Sequence, residues 1–305
     1  CPTLLGADSA ARRQSQRSQR SQGATPGEPT APTATLQPLP APKATQLGDW
    51  ESRQPHIVLD MPDRLVVHKP PGWEVAPGHR GPGLPEEGEV PFDGRLSEYL
   101  GAMLSSRLWP ISSESAYQNG FLHRLDVPSS GILLMAKTYE AYYDLQLQLH
   151  SGGMTRDYIV LCHGWLYPWQ REVKERVHWL RDSKRGSTVE GRGKPSQTKL
   201  KVLRHATRSG QALSIVAVRI VTGRMHQIRL HTAHIGHPTV CDGRYSSAVT
   251  FQADRQWCGR NFLHRHRLAF LDHDGHQREA LDPLPADLQH VLALLGSGAE
   301  LPAFL

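Results

Sequence analysis

The chain has 305 residues, 38% apolar and 21% charged, with a formal charge of +6 and a pI near 9.3. This is enough to bury a sizeable core in one large or two small domains. No run of about 18 apolar residues suggests a membrane span, and the basic balance suits a polyanionic partner. Four cysteines, Cys1, Cys162, Cys241 and Cys258, include no C-x-x-C pair, so neither a disulfide framework nor a cysteine zinc site is indicated and a reducing compartment is expected.

Residues 1–50 read as a tail. An Arg/Ser/Gln run over 9–22 and a Pro/Ala/Thr stretch to Lys43 lack the aromatic and branched side chains that offset chain entropy, so disorder is expected. The chain opens at Cys1, which leaves targeting open among cytoplasm, mitochondrion or plastid, and nucleus. The folded domain is expected over 55–298, with 299–305 as a C-terminal tail.

Ile57-Val58-Leu59, a turn over 60–63 and Arg64-Leu65-Val66-Val67-His68 predict a hairpin that Lys69-Pro70-Pro71-Gly72 stops. A Gly/Pro-rich loop spans 78–88. Residues 95–106 have helical spacing, with Leu96, Tyr99, Leu100 and Met103 on one side. Residues 112–119 are polar and receive no function. Next comes His123-Arg124-Leu125-Asp126-Val127-Pro128-Ser129-Ser130-Gly131, followed by the apolar run Ile132-Leu133-Leu134-Met135-Ala136. An acidic residue in a Pro/Ser/Gly turn backed by a buried run is a charge held at the lip of a core, where active sites tend to sit.

Residues 138–149 predict an amphipathic helix capped by Thr138 and ended by Gly152-Gly153, packing behind that loop. Arg156 to Gly164 has strand character with Tyr158 near its start. A basic, glycine-bearing loop, Gly191-Arg192-Gly193-Lys194-Pro195-Ser196-Gln197-Thr198, suits phosphate tracking or a solvated hairpin tip, and precedes a strand over 199–203. After a strand over 213–221, Gly223-Arg224-Met225-His226-Gln227-Ile228-Arg229-Leu230-His231 opens a predicted helix of about three turns closed by Gly236, which sets Arg229 in the early turns, where the helix favours a nearby anion. Zinc is not expected from His226, His231, His234 and His237: only His231 and His234 are close on a helix, and the block holds no acidic or cysteine ligand. A strand over 261–270 carries His264, and a closing helix runs from 282 to 295.

Taken together these blocks resemble the RluA-type pseudouridine synthases. The 123–131 stretch is similar to the family's His-Arg-Leu-Asp-x-x-Thr/Ser-Ser-Gly signature, and 223–231 to its Gly-Arg-x-His-Gln-(Ile/Leu)-Arg-x-His block. Lys69 to Gly72, Arg156-x-Tyr158, the loop around Lys194 and the Leu-Leu-His-Ala-like segment at 262–265 corroborate in the same order. The departures are Arg156 where Lys is more usual and Ser196 in place of Ala.

The resemblance implies an α+β pseudouridine synthase fold, a long, mainly antiparallel mixed sheet with flanking helices and a central RNA-binding cleft. It implies Asp126 as catalytic residue, Arg229 as its ion-pair partner and Tyr158 as the active-site tyrosine, against packing as the ordinary role of a tyrosine at a strand start. His123, Arg124, Arg156, Lys194, Arg224, His226, Gln227 and His264 are the implied RNA contacts. The expected partner is a uridine in a loop or bulge of rRNA or tRNA, whose eversion costs a few kcal/mol. The protein is expected to be a monomer without cofactor, metal or membrane.

Turning uridine into pseudouridine breaks the bond from ribose C1′ to N1 and rejoins the ring through C5, which needs a carboxylate near the sugar as nucleophile or as base, and no redox group. The other reading, from a different class, is a catalytically silent RNA-binding protein or chaperone using the same cleft. A His-based hydrolase or a kinase lacks its motifs.

Overall fold

The computed structural model describes residues 54–77, 93–179 and 186–296. The 1–50 tail, the 78–88 loop and the 299–305 tail lie outside the described residues. In chain order the elements are β1 His56–Asp60, β2 Arg64–Lys69, β3 Trp73–Glu74, β4 Gly94–Arg95, α1 Leu96–Met103, β5 Ser130–Ala136, α2 Tyr139–Ser151, β6 Thr155–His163, β7 Glu172–Val173, β8 Val177–Trp179 and β9 Ser187–Val189. They continue with β10 Thr198–Arg208, β11 Gln211–Ile220, α3 Gln227–His234, α4 Ala248–Asp254, β12 Leu263–Leu271, β13 Gln277–Leu281 and α5 Ala286–Ala293.

Nine strands form one sheet in the order β1-β2-β5-β12-β6-β11-β10-β7, with β13 also paired to β12. Every pairing in it is antiparallel except β5 with β12, where His264 faces Ser130 and Arg265 faces Gly131. The expected mainly antiparallel mixed sheet is therefore the observed one. Alternation along β6 and β11 explains its two faces. Tyr158, Val160 and Cys162 pack with Val216 and Val218 on one side together with Leu125 and Ile228, while Ile159, Leu161, Leu213 and Ile215 pack on the other with Phe262 and Leu288. Arg156 and Tyr158 thus share the side reached by the 123–131 stretch.

Helix α2 follows its local signals. Thr138 caps α2 by accepting from Ala141 N at 3.2 Å, and Gly152 ends it at φ 80°. Helix α1 and α5 are shorter at their ends than the 95–106 and 282–295 expectations. Helix α3 is a larger correction. It has 8 residues rather than about three turns, because His226 adopts φ 53° and turns the backbone out of helix just before Gln227.

The parallel contact of β5 with β12 leaves no room for a side chain at Gly131. It sits at φ 128°, and a Cβ there would lie 2.4 Å from the Arg265 carbonyl oxygen. Gly131→Ala is expected to lower unfolding free energy by about 2–3 kcal/mol, read by urea denaturation, since neither backbone can retreat without breaking the sheet.

Candidate active site

The 123–131 stretch is a loop closed by backbone bonds. Ser129 N donates to Asp126 O at 3.0 Å and Gly72 N donates to Val127 O at 2.9 Å. Lys69, wholly buried, donates to the carbonyls of Pro70, Trp73 and Val127 at 2.8, 3.0 and 3.3 Å. Burial holds its ammonium well below the usual lysine range. The Lys-Pro-Pro-Gly corner is thus the clamp that fixes the loop carrying Asp126.

Opposite the loop, α3 presents Arg229. Its guanidinium Nη1 lies 3.5 Å from Asp126 Oδ2, and Nε and Nη2 hold both oxygens of Asp242 at 2.8 and 2.7 Å. One buried cation therefore serves two carboxylates, with the tighter, two-pronged bond going to Asp242. Asp242 is fully enclosed and also accepts from Thr239 Oγ1 and from the backbone N–H of Arg244 and Tyr245. Burial alone would raise the Asp126 carboxyl, but Arg229 and Arg124, joined by His226 in the acid range where that ring is protonated, outweigh it and hold it below its ordinary value of 3.8. The acid is ionised at neutral pH.

His226 completes this corner. Its Nε2 is 3.9 Å from Asp126 Oδ1, and its Nδ1 lies 3.0 Å from the Tyr245 hydroxyl, which accepts from Ser187 N at 3.0 Å. Tyr245 also carries Arg229 over its ring, 5.4 Å from the centroid. Burial brings His226 down to about 4, so the ring is neutral.

A cavity of about 370 Å³ opens over these groups, within the roughly 300–1,000 Å³ of small-ligand sites. Asp126, Arg229 and Tyr158 all line it, as do His123, Arg124, Arg156, Arg224, His226 and Gln227. Arg265 lies in the wall as well, and Leu149 and His150 bring the end of α2 to it, so α2 does more than pack behind the loop. Tyr158 is 2% exposed and its hydroxyl accepts from Arg265 Nη2 at 2.5 Å.

Three expected RNA contacts are placed differently. His264 is fully enclosed and outside the cavity wall, its ring strung between Ser130 Oγ at 2.9 Å and the Asp282 carbonyl at 3.0 Å. It ties β5 to β12, because alternation along the strand turns it away from the cavity while its neighbour Arg265 faces in. Gln227 reaches the wall, but its amide is consumed: Oε1 accepts from Thr222 Oγ1 and Arg224 N, and Nε2 donates to Gln197 O and Thr198 Oγ1. It braces the start of α3. Lys194 is exposed on the turn beside β8, outside the cavity wall; its loop is tied to the wall through Pro195, whose carbonyl accepts from Arg224 at 3.3 Å, and through Gln197, whose N–H donates to Thr222 Oγ1 at 3.0 Å.

Asp242, Tyr245, Arg265 and the clamp role of Lys69 escaped the sequence. Of these only Arg265 carried a signal, as an arginine where the Leu-Leu-His-Ala-like block resembled here has alanine. Among the described residues the one grouping with metal-ligand proximity is Asp272, Asp274 and His276, at the β12–β13 turn. Asp272 already accepts from Asp274 N, His276 N and Arg278 Nε.

His226 and His264 also set an acid limit on stability. Both are near 4 in the folded chain, lowered chiefly by burial, against 6.5 when unfolded. Between those values the unfolded state takes up protons that the folded state refuses, so stability falls as pH drops from 6.5 toward 4. The loss is on the order of 3 kcal/mol per ring. Urea midpoints from pH 7 to 4 should decline, and the decline should shrink in His264→Gln.

The site is a carboxylate held ionised beside a buried guanidinium, in one cavity with an enclosed phenol and further arginines, an arrangement that suits an enzyme acting on an anionic substrate. A family profile described as RNA pseudouridylate synthase matches residues 63–234. The chain is 30% identical over 264 residues to the ribosomal large subunit pseudouridine synthase C of Haemophilus ducreyi, covering 84% of this chain and 73% of that one. It is 38% identical over 160 residues to the protein of the same name from Escherichia coli strain K12, covering 49% and 47%. The chain thus spans about half the length of the second relative. In three dimensions it is similar to human RNA pseudouridylate synthase domain containing 1, with TM-score 0.56 and 23% identity over 84% of this chain and 94% of that one. This chain belongs to the RNA pseudouridylate synthase family, and its fold is the one the family resemblance implied.

Proposed function

We propose that the chain isomerises uridine to pseudouridine in structured RNA, with Asp126 as the catalytic carboxylate, Arg229 as its positioning partner and Tyr158 beside the displaced base. The observation that carries this is that three side chains from the 123–131 loop, β6 and α3, up to about a hundred positions apart, line one cavity of nucleotide scale. Asp126 acts at the ribose as nucleophile or base while Arg229 holds it charged and aimed. Tyr158 stacks on the freed uracil. His123, Arg124, Arg156 and Arg224 surround the entering strand. No step needs a metal or cofactor, and the protein acts as a monomer.

The names of its relatives make large-subunit ribosomal RNA the first substrate to test, with transfer RNA alongside. A silent RNA-binding protein would have no need of the ionised Asp126. Purified protein incubated with C5-tritiated ribosomal and transfer RNA should release tritium in proportion to pseudouridine formed. Binding without release from either RNA would favour the chaperone reading. Mapping pseudouridine in RNA from cells lacking the protein would then locate the uridine.

A further inference from the structure

Two guanidiniums in the cavity wall, Arg156 and Arg265, are 3% and 1% exposed, and among the described residues neither pairs with a carboxylate. Arg265 uses all four terminal N–H groups on neutral acceptors. Nη1 donates to His123 Nδ1 at 2.8 Å and Ile132 O at 3.0 Å, and Nη2 donates to Tyr158 Oη at 2.5 Å and Arg124 O at 3.3 Å. Arg156 makes one bond, from Nη2 to Val221 O at 3.0 Å.

The contact with His123 settles that ring's proton. A guanidinium has no acceptor, so His123 Nδ1 accepts and a neutral ring must carry its hydrogen on Nε2. Burial, with Arg265 and Arg156 nearby, pushes His123 well below its ordinary value and keeps it neutral. Its Nε2 is enclosed with no partner, and so are the Nε atoms of Arg124, Arg156 and Arg265.

The result is a set of donors around two unbalanced buried charges. Burying a cation without a counter-ion is expensive, and this expense is relieved only by a ligand that brings negative charge. A uracil carbonyl would accept one hydrogen bond and leave both charges standing, whereas a phosphodiester supplies charge and several acceptors together.

We propose that Arg156, Arg265 and the Nε2–H of His123 form an anion subsite, separate from the Asp126–Arg229 pair, that takes one phosphodiester of the RNA strand beside the everted uridine. This rests on the reading of the cavity as an RNA site. Arg156 touches the phosphate, the enclosed Nε2–H of His123 adds a donor dipole behind it, and Arg265 is a positioning residue that adds charge and locks the imidazole in that tautomer.

Two measurements test it. In ¹⁵N-histidine spectra of the free protein at pH 7, His123 should be neutral with its proton on Nε2, and Arg265→Met should release that lock. A proton on Nδ1 in the unsubstituted protein would overturn the positioning role. For the subsite, binding of a fluorescein-labelled ten-nucleotide oligouridylate is followed by anisotropy against salt. Arg156→Gln, which gives up a single hydrogen bond and so keeps the test alive should the Arg265 variant fail to fold, should bind about tenfold more weakly. Its log–log salt slope should be shallower by about 0.7, as for one lost single-strand phosphate contact, with Arg156→Lys restoring the slope. An unchanged slope in Arg156→Gln, in an enzyme that releases tritium, would overturn the subsite alone. A reduced slope in a protein that never releases tritium would uphold the subsite and overturn the reaction.

Discussion

Asp126→Asn is expected to abolish tritium release from C5-labelled uridine in RNA, to about a thousandth of the unsubstituted rate or less, while leaving the protein folded. The amide is close to the carboxylate in shape but is neither nucleophile nor base, so chemistry is lost on either route. Folding survives because Arg229 keeps its two-pronged bond to Asp242 at 2.8 and 2.7 Å, and its contact with Asp126 is the longer one at 3.5 Å. The Asp126 carboxyl lies below 3.8 in the folded chain, so its ionised form stabilises at neutral pH and that share is lost only as pH falls through the folded value. Circular dichroism and a urea melt at pH 7 should therefore show a small stability change beside a complete kinetic one. Retained tritium release in a folded Asp126→Asn protein would remove Asp126 from the chemistry.

Arg229→Ala should be worse for the molecule as a whole. It leaves Asp242, 0% exposed, and Asp126 beside it without the cation that offsets their desolvation. Removing one partner of a buried ion pair typically costs ~3–5 kcal/mol, which should appear in the urea midpoint. It should also raise the Asp126 carboxyl, because burial already pushes that group up and Arg229 is one of the charges holding it down. In Arg229→Gln, chosen to keep more of the packing, the acid limb of the turnover–pH profile should move upward relative to the unsubstituted enzyme. An unmoved limb with a lowered urea midpoint would reduce Arg229 to a purely structural residue.

The double engagement of Arg229 changes how the pair is understood. The resemblance implied a simple partnership with Asp126, yet in space the arginine is held first by Asp242, whose own oxygens are set by Thr239 and the backbone of Arg244 and Tyr245. Asp126 meets a cation that is already oriented. That suits a carboxylate which must remain free to approach a sugar, since a tight bond of its own would compete with the substrate.

What the amino-acid sequence determined by itself is the material of local rules. The hairpin at 56–69, the Thr138 cap and Gly152 stop of α2, and the strand alternation of β6 and β11 depend on neighbours a few positions apart. The two long motifs around Asp126 and Arg229 were legible for a similar reason, because spacing along a loop or helix start is itself the chemical requirement. Tertiary structure alone decided the partners across the sheet. His264 and Arg265 are adjacent letters on one strand, and only the pairing of β12 with β5 and β6 sends the first into the interior and the second into the cavity. Likewise Asp242 follows α3 in a segment with no pattern of its own, and Lys69 looks like part of a common loop. Their roles arise because burial forces each polar group to find a partner, and which partner lies within reach is a property of the folded chain.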